Sequence, residues 1–182
     1  MIELNTETSL LVIVDMQEKL IQAAHSPGEC IIKQRLMLQA AILLGLDVIV
    51  TEQSPQKLGR TTQAVKDILI PEWPVIEKTS FSCFGEPEFK AAVSSKTRKS
   101  IIVTGLEAHV CIQQTVLDAL AAGYQVFVLA DGITSRYARD CDAAINLMRQ
   151  AGAVISTAES ILFMLMKSSE HPQFRKVSQL VK

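Results

Sequence analysis

A chain of 182 residues, 48 % of them hydrophobic, can bury a substantial core and is too apolar to be disordered. Its 18 Lys and Arg against 19 Asp and Glu leave a net charge of −1, without the basic footprint of a nucleic-acid or anionic-membrane binder. No apolar run reaches membrane-spanning length and the first basic residue is Lys19, so no membrane anchor and no signal or transit peptide is expected.

The four cysteines, Cys30, Cys83, Cys111 and Cys141, are widely spaced with no C-x-x-C pair. In a chain of this size that pattern reads as reduced thiols in the cytoplasm, not a disulfide framework.

The first element is the apolar run Ser9–Val14, the pattern of a strand buried on both faces. Asp15, Met16 and Gln17 follow it directly. An Asp at that place sits at the carboxyl edge of a sheet, where open parallel sheets bind ligands; a helix N-cap is the equally weighted alternative. Pro27-Gly28 is a turn, and Ile31 to Leu44 repeats apolar residues at helical spacing up to Gly45. Asp47–Val50 is a second strand. It runs through Thr51-Glu52-Gln53-Ser54-Pro55 into a polar loop containing Lys57, Gly59 and Arg60, either a pocket wall or an ordinary solvated loop.

Thr61 to Leu69 reads as a short helix stopped by Pro71, and Val75-Ile76-Glu77 as a third strand. Lys78 follows at the carboxyl edge, with Phe81, Cys83 and Phe84 marking a partly buried turn. A lysine at that place is usually a solvated charge, but one buried with this turn generally has an acidic partner. Pro87 to Lys96 is the next helix, and Ile101-Ile102-Val103 is a buried fourth strand broken by Gly105. From Ile112 onward, Val116 and Leu120 recur at helical spacing until Gly123. Cys111 therefore stands where a buried strand has ended and a helix begins, beside unpaired backbone N–H groups and the positive end of the helix dipole. Gln125–Leu129 is a fifth strand ending in an Ala130-Asp131-Gly132 turn. Ala138–Gln150 is a helix, Val154-Ile155 a short sixth strand, and Glu159–Lys167 and Phe174–Val181 are closing helices.

Strands and helices alternate with no linker or internal repeat, so residues 1–182 read as one α/β domain with a six-stranded, mainly parallel sheet covered by helices on both faces. Right-handed crossovers put every strand-to-helix turn on one edge, and with them Asp15, Gln53, Lys78 and Cys111. A thiolate nucleophile needs a base, and the pKa of a cysteine falls at a helix N-terminus and beside a cation. Asp15 as base, Lys78 as cation and Cys111 as nucleophile form a consistent set, with backbone N–H groups before the helix as an oxyanion site. Other chemistries fit less well. There is no G-x-G-x-x-G or Walker loop, and His25, His109 and His171 are too far apart for a usual zinc pattern. His109 reads as a pocket-lining or surface residue.

With these residues in view the sequence resembles the isochorismatase-like cysteine hydrolases, in the isochorismatase-domain-containing branch. The matching pieces are LLVIVDMQ around Asp15, EKTSFSCF around Lys78 and VTGLEAHVC around Cys111, with ADG at 130–132 and the closing TAESILF. The resemblance implies a three-layer α/β/α, Rossmann-like fold of strand order 3-2-1-4-5-6, a triad of Asp15, Lys78 and Cys111, and a non-proline cis peptide at Glu107–Ala108. That bond would aim the N–H of Ala108 at the same point as that of Cys111 to make an oxyanion hole. Gln17, Gln53, Phe81, Glu107 and His109 are substrate-pocket candidates. The implied reaction is hydrolysis of a small amide or related C–N bond through a thioester, by a homo-oligomer, with a low-pKa Cys111. Nicotinamidases of this family carry an Asp-x-His metal motif after the second strand; here the loop reads TEQSPQKLGR, so neither metal nor another cofactor is expected. Family members often have Thr or Ser where this chain has Ala108. The alternative reading is a non-catalytic small-molecule-binding or assembly protein on the same scaffold.

Overall fold

The structure, a computed structural model, describes residues 4–95 and 97–182. Its elements run β1 (Ser9–Val14), α1 (Glu18–Ala23), α2 (Pro27–Leu44), β2 (Asp47–Gln53), α3 (Pro55–Leu58), α4 (Gln63–Lys66), β3 (Val75–Lys78), α5 (Pro87–Ser94), β4 (Ser100–Gly105), α6 (Gln113–Ala121), β5 (Gln125–Ile133), α7 (Ala138–Gln150), β6 (Val154–Ser156), α8 (Ala158–Met166) and α9 (Phe174–Leu180). A 3-10 turn at Cys83–Gly85 precedes α5, and a π turn at Ala108–Ile112 leads into α6.

All six strands are parallel, in the order β3-β2-β1-β4-β5-β6. The continuous apolar runs follow from helices on both faces. Leu11 and Ile13 of β1 join an apolar cluster with α2, α8 and α9, while Leu10, Val12 and Val14 join a second cluster with α5, α6 and α7. Every residue of β1 and β4 is buried, as a strand covered on both sides must be. Among the described residues no helix is long and apolar enough to cross a membrane.

Several boundaries differ from the sequence reading; the helix read at Thr61 to Leu69, for example, is only Gln63–Lys66. β2 runs three residues further than the strand read at Asp47–Val50, because Thr51, Glu52 and Gln53 pair with Ile76, Glu77 and Lys78 of β3. β5 continues through Asp131-Gly132, where a turn was expected, and Ile133 pairs with Gly105. The short α1 had no strong periodic signal. The helix read at Pro87 to Lys96 ends at Ser94, and Lys96 lies outside the described residues.

Candidate active site

The register of the sheet builds the site at its carboxyl edge. Val14, the last residue of β1, pairs with Thr51 on one side and Gly105 on the other, and Gln53 pairs with Lys78. Asp15 follows in the left-handed region, with φ 51°, which Asp tolerates better than most residues. Its N–H still donates to Thr51 O at 3.1 Å, so β2 holds its backbone. Thr51 Oγ1 donates to Asp15 Oδ1 at 2.8 Å. Asp15 Oδ2 lies 2.7 Å from Lys78 Nζ, and neither side chain is exposed to solvent. The Cys111 thiol lies close enough to the Asp15 carboxyl for each to shift the other's protonation. Asp15 thus touches an ammonium and interacts electrostatically with a thiol, and Cys111, at 5 %, is the most exposed of the three.

Close approach of β4 to β1 makes this possible. Gly105 has φ 123°, and a Cβ there would fall 2.0 Å from the carbonyl oxygen of Val14. Leu106 N–H still donates to Val14 O at 2.9 Å, and the chain then turns through a cis peptide at Leu106–Glu107. The cis bond is therefore one residue earlier than the Glu107–Ala108 expected from the resemblance. Three contacts tie the turn that follows to the segment after β5. Ala108 N–H donates to Thr134 O at 2.9 Å, His109 Nδ1 and Ser135 Oγ are 3.0 Å apart, and Arg136 Nε donates to Glu107 Oε1 at 3.1 Å. The Ala108 N–H is consequently spent on Thr134 and is not the oxyanion donor expected of it. Glu107 and His109 stand half-buried at this junction.

Burial dominates the electrostatics. It pushes the Asp15 carboxyl above the usual carboxylate range, against the opposing pull of the Lys78 ammonium, of the Thr51 hydroxyl and of the nearby Cys111 thiol. Burial also pushes the Cys111 thiol up to about 12, helped by the Asp15 carboxylate and opposed by Lys78. Burial draws Lys78 down, but Asp15 and the neighbouring thiols more than offset it and its pKa ends above the ordinary value. Burial thus works against the low pKa expected of Cys111. A helix dipole contributes about 0.3–1 kcal/mol and loses to desolvation. Burial favours the neutral thiol at Cys111 and raises the basicity of Asp15.

The side-chain amides of Gln17 and Gln53 are partnered within the protein. Gln17 Oε1 accepts the Gln53 N–H at 2.7 Å, and its Nε2 donates to Gln53 O at 3.0 Å and Gly59 O at 2.5 Å. Gln53 Nε2 donates to Thr79 O at 2.8 Å while its Oε1 accepts from Lys78 Nζ at 2.6 Å. The Phe81 ring is 54 % exposed, and its contribution to the site is its carbonyl, which accepts from Lys78 Nζ at 3.0 Å. Glu52, in the loop where the metal motif was sought, is bound by the N–H and hydroxyl of Thr61, both at 2.7 Å, and by Arg60 at 2.9 Å. Burial pushes its carboxyl up, but these bonds bring it below the usual range. Among the described residues no group of three or more His, Cys, Asp and Glu could hold a metal ion.

Sequence reasoning gave no site role to Thr51 and read Cys83 only as part of a buried turn. Thr51 follows Ile49 at strand period two, which puts it on the face where Asp15 lands. Cys83 is fully buried, with its sulfur 3.8 Å from Thr51 Oγ1 and its N–H donating to Thr115 Oγ1 at 3.0 Å.

Residues 9–160 match the isochorismatase domain model. Isochorismatase domain-containing protein 1 of Salmo salar is 39 % identical over 176 residues, covering 96 % of this chain and 61 % of that protein. This chain therefore spans about three fifths of that relative's length. Isochorismatase domain-containing protein 2 of Xenopus laevis is 37 % identical over 180 residues, covering 98 % of this chain and 86 % of that protein. Among solved structures, the MAR1 ribonuclease of Caenorhabditis elegans superposes with a TM-score of 0.93 at 36 % identity, covering 99 % of this chain and 92 % of that one. The strand order, the helical layers and these likenesses agree on the isochorismatase hydrolase fold. The chain belongs to the isochorismatase family.

Proposed function

We propose that this protein is a metal-independent cysteine hydrolase of a small amide or related C–N bond. The observation that carries the reading is Asp15, a buried carboxyl 2.7 Å from the Lys78 ammonium and in electrostatic interaction with the Cys111 thiol. Asp15 takes the proton from Sγ as the sulfur attacks the carbonyl carbon. The tetrahedral intermediate collapses when Asp15 returns that proton to the leaving nitrogen, giving an amine and a thioester on Cys111. Water attacks the thioester with Asp15 again as base, and the acid and free thiol are released. Lys78 remains an ammonium throughout and offsets the negative charge as it moves from carboxylate to sulfur and oxygen. With the Ala108 N–H committed, the N–H of Cys111 is the remaining backbone candidate for the oxyanion. The same reading has the protein working on a small molecule, in the cytoplasm, as a homo-oligomer, the last tested by light scattering of the purified chain.

The deciding experiment measures ammonia released from a panel of small amides by wild type and by Cys111→Ala, with mass spectrometry for an acyl adduct on Cys111. Turnover lost in the variant supports the proposal. Ligand-induced thermal stabilisation that survives Cys111→Ala, without product or adduct, favours the non-catalytic binding protein instead. The 36 % identity to the C. elegans ribonuclease favours one further reading, cleavage of RNA. The net charge of −1 opposes it, because phosphate-tracking surfaces are basic. Cleavage of a labelled RNA by wild type but not by Asp15→Asn would establish it.

A further inference from the structure

Lys78 Nζ has more acceptors than protons. Gln53 Oε1 lies at 2.6 Å, Asp15 Oδ2 at 2.7 Å, Phe81 O at 3.0 Å and Ser80 O at 3.2 Å. An ammonium carries three N–H donors. Three of these acceptors are neutral and suffice for all of them. Asp15 Oδ2 has the charge contact but no well-aligned hydrogen bond. The amide orientation of Gln53 is fixed by its partners, because an ammonium can only donate and the Thr79 carbonyl can only accept. Gln17 in turn grips Gln53 through both its N–H and its C=O, and ties this clamp to Gly59.

We propose that Gln53, clamped by Gln17, is a positioning residue that supplies Lys78 with a neutral acceptor, so that Asp15 can be protonated during turnover without stranding a buried ammonium. This rests on the reading of Asp15 as the base for Cys111. With Gln53 in place, the ammonium stays where it is when Asp15 becomes neutral, and its charge serves the sulfur and the oxyanion. Without Gln53, a Lys78 proton turns to Asp15 Oδ2. The carboxylate is then stabilised, Asp15 becomes a weaker base, and its titration moves down.

The test needs no substrate. The rate of Cys111 alkylation by iodoacetamide, read by peptide mass spectrometry, is followed against pH in wild type, Asp15→Asn, Gln53→Met and Gln53→Glu. Wild type is expected to show an acid limb that Asp15→Asn removes. Gln53→Met moves that limb to lower pH by about one unit, equivalent to tenfold in proton affinity, and lowers the plateau above it. Gln53→Glu keeps an acceptor but adds a carboxylate that competes for Lys78, so the limb moves to higher pH. A folded Gln53→Met variant with limb and plateau matching wild type overturns the assignment. So does a loss of melting temperature with no displacement of the limb in either variant, which is what a merely structural glutamine would give. Absence of any Asp15-dependent limb in wild type overturns the underlying catalytic reading, and is distinguishable because it needs no Gln53 variant to be seen.

Discussion

Lys78 Nζ and Asp15 Oδ2 meet at 2.7 Å with neither side chain exposed, yet the two charges are unequally supported. Lys78 also has Gln53 Oε1, Phe81 O and Ser80 O around it, whereas Asp15 has Thr51 and the Cys111 thiol. Breaking a buried pair from one side costs about 3–5 kcal/mol, because the remaining charge is uncompensated. Lys78→Met should therefore destabilise the fold by about that amount. Asp15→Asn should cost less, since the ammonium keeps its neutral acceptors. The double variant should be more stable than Lys78→Met alone. Urea unfolding of the three variants checks the order, and equal losses in the single variants would contradict it.

Thr51→Val tests the other oxygen of the same carboxylate. The hydroxyl donates to Asp15 Oδ1 at 2.8 Å in a fully buried setting. Valine fills the same volume but leaves that oxygen unpaired, at a cost of about 1–3 kcal/mol. The Thr51 bond also favours the ionised form, so its loss should raise the Asp15 pKa beyond the rise that burial already imposes. The expected result is a lower urea midpoint together with an Asp15 titration moved upward, followed by carboxyl-selective NMR.

Much of this site was legible because parallel strands buried on both faces announce themselves as apolar runs. Ser9–Val14 and Ile101–Val103 mark where β1 and β4 lie, so Asp15 and Cys111 could be assigned to the carboxyl edge by chain order and crossover handedness alone. Lys78 followed from the need of a buried lysine for an acid. The roles of Gln17 and Gln53 were not legible. A side-chain amide at that edge looks the same whether it meets a ligand or a backbone, and only the placement of Gly59 O beside Gln17 decides it. The Asp131-Gly132 pair reads as a turn by composition, but Gly132 O collects donors from Cys30, Gln34 and Thr104, and Thr104 Oγ1 would stand 2.4 Å from any Cβ at that position. That glycine serves packing, not a reversal. Position at a helix start says nothing about depth of burial, so the desolvation that opposes a low thiol pKa was not legible.

Buried thiols make a prediction at alkaline pH. Burial pushes Cys30 and Cys111 up to about 12 and Cys83 up to about 11, from an ordinary 9.0. The unfolded chain releases these protons first as pH rises past 9.0, while the folded chain still holds them. The unfolded state then binds fewer protons, so stability falls with pH. Lys78, also raised, acts in the same direction. Below that window these groups contribute no slope. Cys30→Ala removes one such group away from the candidate site, and should flatten the decline by up to about 1.4 kcal/mol per pH unit. Urea midpoints of wild type and Cys30→Ala across the alkaline range test this. A stability curve that stays level above pH 9.0 would mean that these thiols are not buried as described.

Gly105→Ala probes the contact that brings the two halves of the site together. Gly105 pairs with Val14, the residue before Asp15, and stands two residues before Glu107 and six before Cys111. An alanine Cβ would sit 2.0 Å from Val14 O, 2.8 Å from Val14 N and 2.9 Å from Val14 C, all backbone atoms that cannot swing aside. The φ of 123° adds strain that an L side chain rarely accepts. Relief requires β4 to move away from β1, which separates Cys111 from Asp15. The variant should lose about 3 kcal/mol or more of stability, the large end of single substitutions. Where it still folds, the Cys111 alkylation rate should lose the Asp15-dependent acid limb. Gly123→Ala is the matched control, because that glycine also has a positive φ, 87°, but no atom within 4 Å of the added Cβ. It should show the backbone strain alone, with the Cys111 pH profile unchanged. Equal behaviour of the two variants would show that the close approach of β4 to β1 does not set the site.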